Sequence, residues 1–401
     1  MKSKNTISLS LVLLLAAAVT QSSAASPLVS IGDSTDIHFK GSTSLQSSSN
    51  VFRNDTNEVD DIMWTITPGF EVNFGRGASN ADLKLVTGYQ IRRYADLNEL
   101  NTELFNIEAS GSYRASRLDV SGSVYFREQK SATGDNNVFN NDLVESDLTG
   151  GRVDSEYRFS PKFSFGAGFN YRETDYKSPY DTRLADRETF GLPLDLFYEL
   201  TPKVDLSVGY TYSETDVSAL PASGLRPALA AYTTDDHFLN VGARGNLLPK
   251  LNGFFKVGYR TRDSDRAGSS SDSTLGLDSN LTWAATPKLS NTIALSRDFG
   301  VGGEGNSTKN TTFSLSSNYS INSYYAATAF ASYTLRDYQN NREDKQTRLG
   351  ARLTYTPNQY WIFGAGYTYT ENNSSNDPTV VGGTLRSYVD HTLDISASLR
   401  Y

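Results

Sequence analysis

Runs of strict alternation, ten or more residues long and separated by tight corners, constrain this chain more than any other feature of its sequence. Leu83, Leu85, Thr87, Tyr89 and Ile91 form one column of such a run, and Asp82, Lys84, Val86, Gly88, Gln90 and Arg92 form the other. Side chains two apart share a face of a strand, so one face is apolar and the other mostly polar. The same sorting holds for Val204, Leu206, Val208, Tyr210 and Tyr212 against Asp205, Ser207, Gly209 and Thr211, and for Trp361, Phe363, Ala365, Tyr367 and Tyr369 against Gly364, Gly366 and Thr368. Strands of soluble sheets run to about five or six residues. An oblique crossing of a bilayer takes about 9 to 11.

The corners recur. Ser160-Pro161-Lys162, Thr201-Pro202-Lys203, Leu248-Pro249-Lys250, Thr286-Pro287-Lys288 and Thr356-Pro357-Asn358, with Ser116-Arg117 and Asn322-Ser323 as equivalents, stand about 40 residues apart. That period holds one long hairpin and a loop. Proline suits the second position of a tight turn, where its fixed φ fits and its missing N–H is not needed. The other connections, such as Ser47 to Asp61, Ser131 to Ser146 and Ser218 to Thr234, are longer and polar. Short turns at one end and long loops at the other are the asymmetry of outer-membrane barrels. A propeller, whose period is also near 40, would fit four short strands into the span. The expected fold is all-β: a transmembrane antiparallel up-and-down β-barrel of about 18 strands, the first starting near Ile37 and the last running from Tyr388 to Tyr401.

Composition agrees once the lumen is considered. The mean hydropathy of −0.45 and net charge of −8 suggest a soluble acidic protein, but a barrel with a polar interior averages the same way. The acidity argues against a nucleic-acid partner. With no cysteine in the chain, disulfides and lipid attachment through cysteine are excluded. Lys2 and Lys4, an apolar stretch from Ile7 to Val19, and Ser23, Ala24 and Ala25 have the layout of a secretory signal peptide. The expected organisation is a signal peptide over 1–25, a short periplasmic segment over 26–36 and the barrel over 37–401, exported by a Sec-type route to the outer membrane of a Gram-negative-type envelope. Its partners would be outer-membrane lipids and the barrel assembly machinery. The final strand, with Leu393, Ile395, Leu399 and Tyr401 in one column, resembles the signal which that machinery reads.

No catalytic constellation emerges. His38, His237 and His391 are dispersed and show no metal-binding spacing. No GxSxG motif marks a nucleophile, so a barrel hydrolase is disfavoured, and no cofactor or metal is expected. The Asn54 to Asp61 and Asp135 to Asp142 clusters are oxygen-rich, but they lack EF-hand order and read as solvated loops. The informative column is the lumenal one. Arg92, Arg127, Arg172, Arg260, Arg262 and Arg336 fall on the polar face towards the loop end, where they would line the pore and favour anions. Alternatively each braces the wall through a carboxylate, with Asp154, Glu156, Asp195 and Glu199 available. Inward Gly166, Gly168, Gly209, Gly258, Gly364 and Gly366 are expected to leave the middle of the channel wide.

Ser49-Asn50-Val51-Phe52-Arg53, Asp60-Asp61 and Thr67-Pro68-Gly69 are the most particular segments of a chain that, from Ile37 to Tyr401, resembles outer-membrane porins of the beta-barrel porin 2 type. That resemblance implies a channel associated with exopolysaccharide production and export, and no catalytic residues. The expected function is passive passage of hydrophilic solutes, with polysaccharide and periplasmic export proteins as partners. The alternative is a structural barrel that docks a periplasmic synthesis or export assembly.

Overall fold

The computed structural model describes residues 26–75, 80–133, 141–222, 228–375 and 387–401; the proposed signal peptide lies outside them. A three-residue strand, β1 (Val29–Ile31), precedes β2 (Thr35–Ser48), β3 (Asp61–Phe74), β4 (Ala81–Tyr94), β5 (Thr102–Arg114), β6 (Leu118–Ser131), β7 (Val144–Arg158), β8 (Phe163–Tyr176) and β9 (Arg187–Thr201). There follow β10 (Val204–Val217), β11 (Tyr232–Leu248), β12 (Leu251–Ser264), β13 (Asp272–Thr286), β14 (Leu289–Val301), β15 (Ser307–Ser320), β16 (Tyr325–Tyr338), β17 (Glu343–Tyr355), β18 (Trp361–Ser375) and β19 (Tyr388–Arg400). From β2 onward each strand pairs antiparallel with the next, and β19 closes on β2 through Thr392↔Ser48 to Arg400↔Lys40. The result is a closed barrel of 18 strands. Closure leaves no barrel strand with an unpaired edge, which a chain surrounded by lipid requires. Below the seam, β1 pairs with the start of β2, and Phe39 and Tyr401 exchange backbone hydrogen bonds of 2.6 and 2.9 Å.

At several corners a polar side chain at the turn holds the following amides. The Ser160 hydroxyl accepts from the amides of Lys162 and Phe163, at 3.2 and 3.0 Å. Thr286 does the same for Lys288 and Leu289. Where the sequence has Asn322 or Asn358, the side-chain carbonyl accepts the equivalent amides at 2.8 to 3.0 Å. Thus Ser, Thr and Asn satisfy the turn N–H groups that no strand partner reaches.

Leu45, Trp64, Val124, Leu239, Tyr259, Leu275 and Ile395 are among the large apolar side chains exposed on the outer wall. In water this would be an aggregation surface; in a bilayer it is the lipid-facing band. The buried apolar side chains gather instead at the loop end. Phe52, Leu100, Ala132 and Leu143 form one cluster, Val144, Tyr176, Tyr180 and Leu184 a second, and Ala185, Val217, Leu220 and Tyr232 a third. The long connections, read as polar from their composition, therefore pack on each other through a few apolar anchors. Asp61 ties two of them together, because its carboxylate accepts the amides of Ile62, Asp96 and Leu97. Asn50, which is buried, holds the first loop through Asn54 and the Val389 carbonyl.

Candidate functional site

The inward column of each strand makes the lumen, and neighbouring side chains occupy the space beside its glycines. A Cβ on Gly166 would meet the Phe197 ring at 3.0 Å, and one on Gly168 would meet Pro193 at 2.9 Å. Asp195 lies over Gly209, Arg352 over Gly364 and Asp394 over Gly366, while Gly258 is pressed against the Leu239 carbonyl. These glycines accommodate neighbouring side chains that lie along the wall.

Four inward glycines, Gly166 among them, share one construction. An inward aromatic lies on a glycine and carries a guanidinium on or near its face. Tyr125 covers Gly150 beside Arg127, Phe197 covers Gly166 beneath Arg244, Phe238 covers Gly276 beneath Arg260, and Phe330 covers Gly350 beside Arg348. The Arg244 and Arg260 guanidinium carbons sit 3.4 and 3.8 Å from their ring centroids, well inside cation–π range. The contact fixes a long, rotamer-rich side chain before any solute arrives.

Ion pairs in the middle of the lumen use cations other than the six picked out by sequence. The Arg244 fork grips Glu156 at 2.6 and 2.7 Å and its Nε reaches Asp205 at 2.9 Å. Lys256 holds both oxygens of Asp195, at 2.7 and 2.8 Å, and Arg152 pairs with Asp154. Arg244, Lys256 and Arg152 could have been found in the sequence by extending the inward columns of β7, β11 and β12 below the loop end. At the short-turn end Glu71 is ringed by Arg400, Lys40 and Lys84, at 2.8, 3.3 and 3.4 Å.

The structure brings all six predicted arginines onto the inward columns, with differing surroundings. Arg127 pairs with Glu108 at 2.7 Å, and Arg262 makes a two-pronged bond to Asp236 at 2.6 and 2.5 Å while donating to the Gly300 carbonyl. For these two the bracing alternative holds, although the carboxylates are not those suggested by sequence. Arg336 donates to Asn310 at 3.1 Å and to the Tyr338 hydroxyl. Arg92 donates to the Lys130 carbonyl at 2.9 Å. Among the described residues, no carboxylate forms an ion pair with Arg92, Arg172 or Arg260.

Of the histidines, His237 and His391 face outward, each with its Nδ1 2.8 Å from a tyrosine hydroxyl, Tyr210 and Tyr367, and His38 is buried beside the Glu71 cluster. Among the described residues there is no group of three or more His, Cys, Asp or Glu placed to hold a metal. Of the oxygen-rich loop positions, Asp61 is occupied by backbone amides, and 134–140 lie outside the described residues. Leu393 and Ile395 on the last strand face outward and are well exposed, and the Tyr401 ring packs on Tyr360 with centroids 5.6 Å apart.

The fold and the polar, charged lumen define a membrane-spanning barrel of the channel type. Residues 40–384 match the family described as "Putative beta-barrel porin 2", and the chain belongs to that family. Its fold is similar to that of other outer-membrane barrels at very low identity. These include the ferric citrate transporter FecA (10% identity over 90% of this chain and 78% of that one, TM-score 0.45). The Escherichia coli K12 ferric-catecholate receptor Fiu (9%, 94% and 82%, 0.47) is another. A third is the Pseudomonas aeruginosa outer membrane protein OpdK (10%, 91% and 99%, 0.45). No curated protein sequence matches the chain. Family membership and the barrel support a channel role in the outer membrane.

Proposed function

We propose that the protein is a passive channel for hydrophilic solutes with a preference for anions, and that an acidic exopolysaccharide is among the polymers it passes. Export by the Sec route, cleavage of residues 1–25 and insertion guided by the final strand belong to the same reading. One observation carries the anion preference. The mid-lumen carboxylates Glu156, Asp195 and Asp205 are taken by Arg244 and Lys256, whereas among the described residues Arg92, Arg172 and Arg260 form no ion pair, Arg260 being faced at longer range by Asp298, Asp278 and Asp236. Fixed positive charge on a low-dielectric wall concentrates anions and lowers their barrier to passage. The solute would be met by guanidiniums that are already held in place, so little ordering cost attaches to each contact.

The test is planar-bilayer conductance of the refolded protein. Ohmic channels with a chloride-leaning reversal potential are expected. Replacing Arg92, Arg172 and Arg260 together by alanine should move that potential towards potassium. A barrel that conducts at no voltage would refute the channel, and an unmoved reversal potential would remove the role given to the three arginines. For the polymer, an acidic polysaccharide should block the current at concentrations where a neutral one of equal length does not.

A further inference from the structure

We propose a discrete binding site for a carboxylated sugar at the loop end of the lumen, built by Arg172, Arg187, Arg262 and Arg336 from β8, β9, β12 and β16. These four guanidiniums line one cavity of about 280 Å³. Asp236 and Asp298 are the carboxylates among the described residues that line it, and Asp236 is already gripped by both prongs of Arg262. Positive charge therefore exceeds negative at the site.

Arg172 is the central observation. It forms no hydrogen bond or ion pair with a described residue, and the cations Arg187 and Arg127 act on it together with the Tyr125 and Tyr176 phenols. Its nitrogens are not among the buried polar atoms left without a partner, so they remain open to the cavity. Holding like charges together without a counter-ion is unfavourable, and the arrangement persists because strand pairing fixes Arg172 opposite Gly150 and Thr189. Arg187 is fixed in turn by the Val301 carbonyl and by the Tyr176 hydroxyl at 3.1 Å. An open planar fork beside a second, anchored cation is the chemistry that receives a carboxylate.

The remainder of the wall decides what carries that carboxylate. Thr189 and Thr215 place their hydroxyls 3.0 Å apart, and Thr174, Ser213 and Asn170 line the same space. Hydroxyls and amides around a cationic centre match a polyol acid. The volume lies just below the range of about 300 to 1,000 Å³ usual for drug-sized ligands, which suits one uronate unit. The loop cluster of Ala185, Val217, Leu220 and Tyr232 adjoins the site through Val301, which packs against the cluster and also lines the cavity.

The inference rests on the channel reading for access to the lumen, and the two can fail separately. Isothermal titration of the detergent-solubilised full chain would compare galacturonate with glucose, and a galacturonate trimer with maltotriose. Galacturonate should bind and glucose should not. Arg172→Ala, which removes no internal hydrogen bond and should fold normally, is expected to weaken galacturonate binding roughly ten- to hundredfold, with Arg172→Lys falling between. Monomer binding as tight as the trimer would identify a free sugar acid; a trimer bound at least about tenfold tighter would identify the acidic units of a chain. Equal affinity for galacturonate and glucose, or unaltered binding in the alanine variant, overturns the site. Conductance without binding would remove the site and keep the channel, and binding without conductance would do the reverse.

Discussion

The glycine, aromatic and arginine stacks assign a purpose to residues that look like gaps. At Gly350 a Cβ would stand 2.4 Å from the Phe330 ring, and at Gly276 the same distance from Phe238. Either ring must tilt off the wall if a methyl is added, and a guanidinium moves with it. Gly350→Ala and Gly276→Ala are therefore expected to destabilise the barrel by about 1–3 kcal/mol each, the usual cost of overpacking. Ser332→Ala, on an inward column with no side-chain bond, should stay within about 0.5 kcal/mol. Denaturant midpoints of the three variants in one detergent would decide, and equal midpoints would show that the rings carry no weight there. The alternation that places each residue inside or outside was legible from sequence because it needs only its own strand. Which ring lies on which glycine depends on register between strands, and no local pattern records that.

At the scale of elements, the long loops behave as a packed layer tied to the strand ends. Each contributes only a few apolar residues, such as Phe52, Leu143, Leu184 and Leu220, and these become a core only where the loops converge. Composition therefore reads as polar while the packing does not. Asp186 reports on this layer. Burial pushes its carboxyl above the usual value of 3.8, aided by the nearby Asp175 and Asp181, while the Tyr176 amide at 2.8 Å opposes the shift. A carboxyl whose folded pKa is raised is easier to accommodate neutral, so its penalty is absent below the unfolded pKa. The penalty grows as pH rises through that value and is complete above the folded one. Hydrogen exchange over 177–187, corrected for intrinsic rates, should thus show easier opening at neutral pH than at pH about 4. Asp186→Asn keeps the acceptor oxygen and should flatten that dependence. If the variant opens with the same pH slope as the parent, another group is responsible.

Across the whole molecule, the barrel is closed by backbone pairing yet cross-braced by charge. Arg244 on β11 reaches Glu156 on β7, and Lys256 on β12 reaches Asp195 on β9. Both contacts join strands that are not neighbours, and Arg244 reaches Glu156 over the Phe197 ring of β9. The even strand number, the loop asymmetry and the polar interior were legible because hairpin length and period express them directly. These contacts were not, since they join residues 88 and 61 positions apart that only closure and barrel curvature bring together. Their side chains stay partly open to the lumen, at 31% and 27% exposure for Arg244 and Glu156, so the pair adds only about 1 kcal/mol or less to stability. Its larger consequence is for flow. Arg244→Ala should widen the lumen and raise single-channel conductance. It should also leave Glu156 and Asp205 without their cation and shift the cation-to-anion permeability ratio upward by roughly twofold or more. Arg244→Ala combined with Glu156→Gln and Asp205→Asn keeps the wider passage but removes the bared carboxylates, so it should retain the higher conductance and return the ratio towards that of the parent. Reversal potentials and conductances of the parent and the two variants in one salt gradient separate the two effects. A conductance that does not rise in either variant would mean that the pair lies outside the path of the ions.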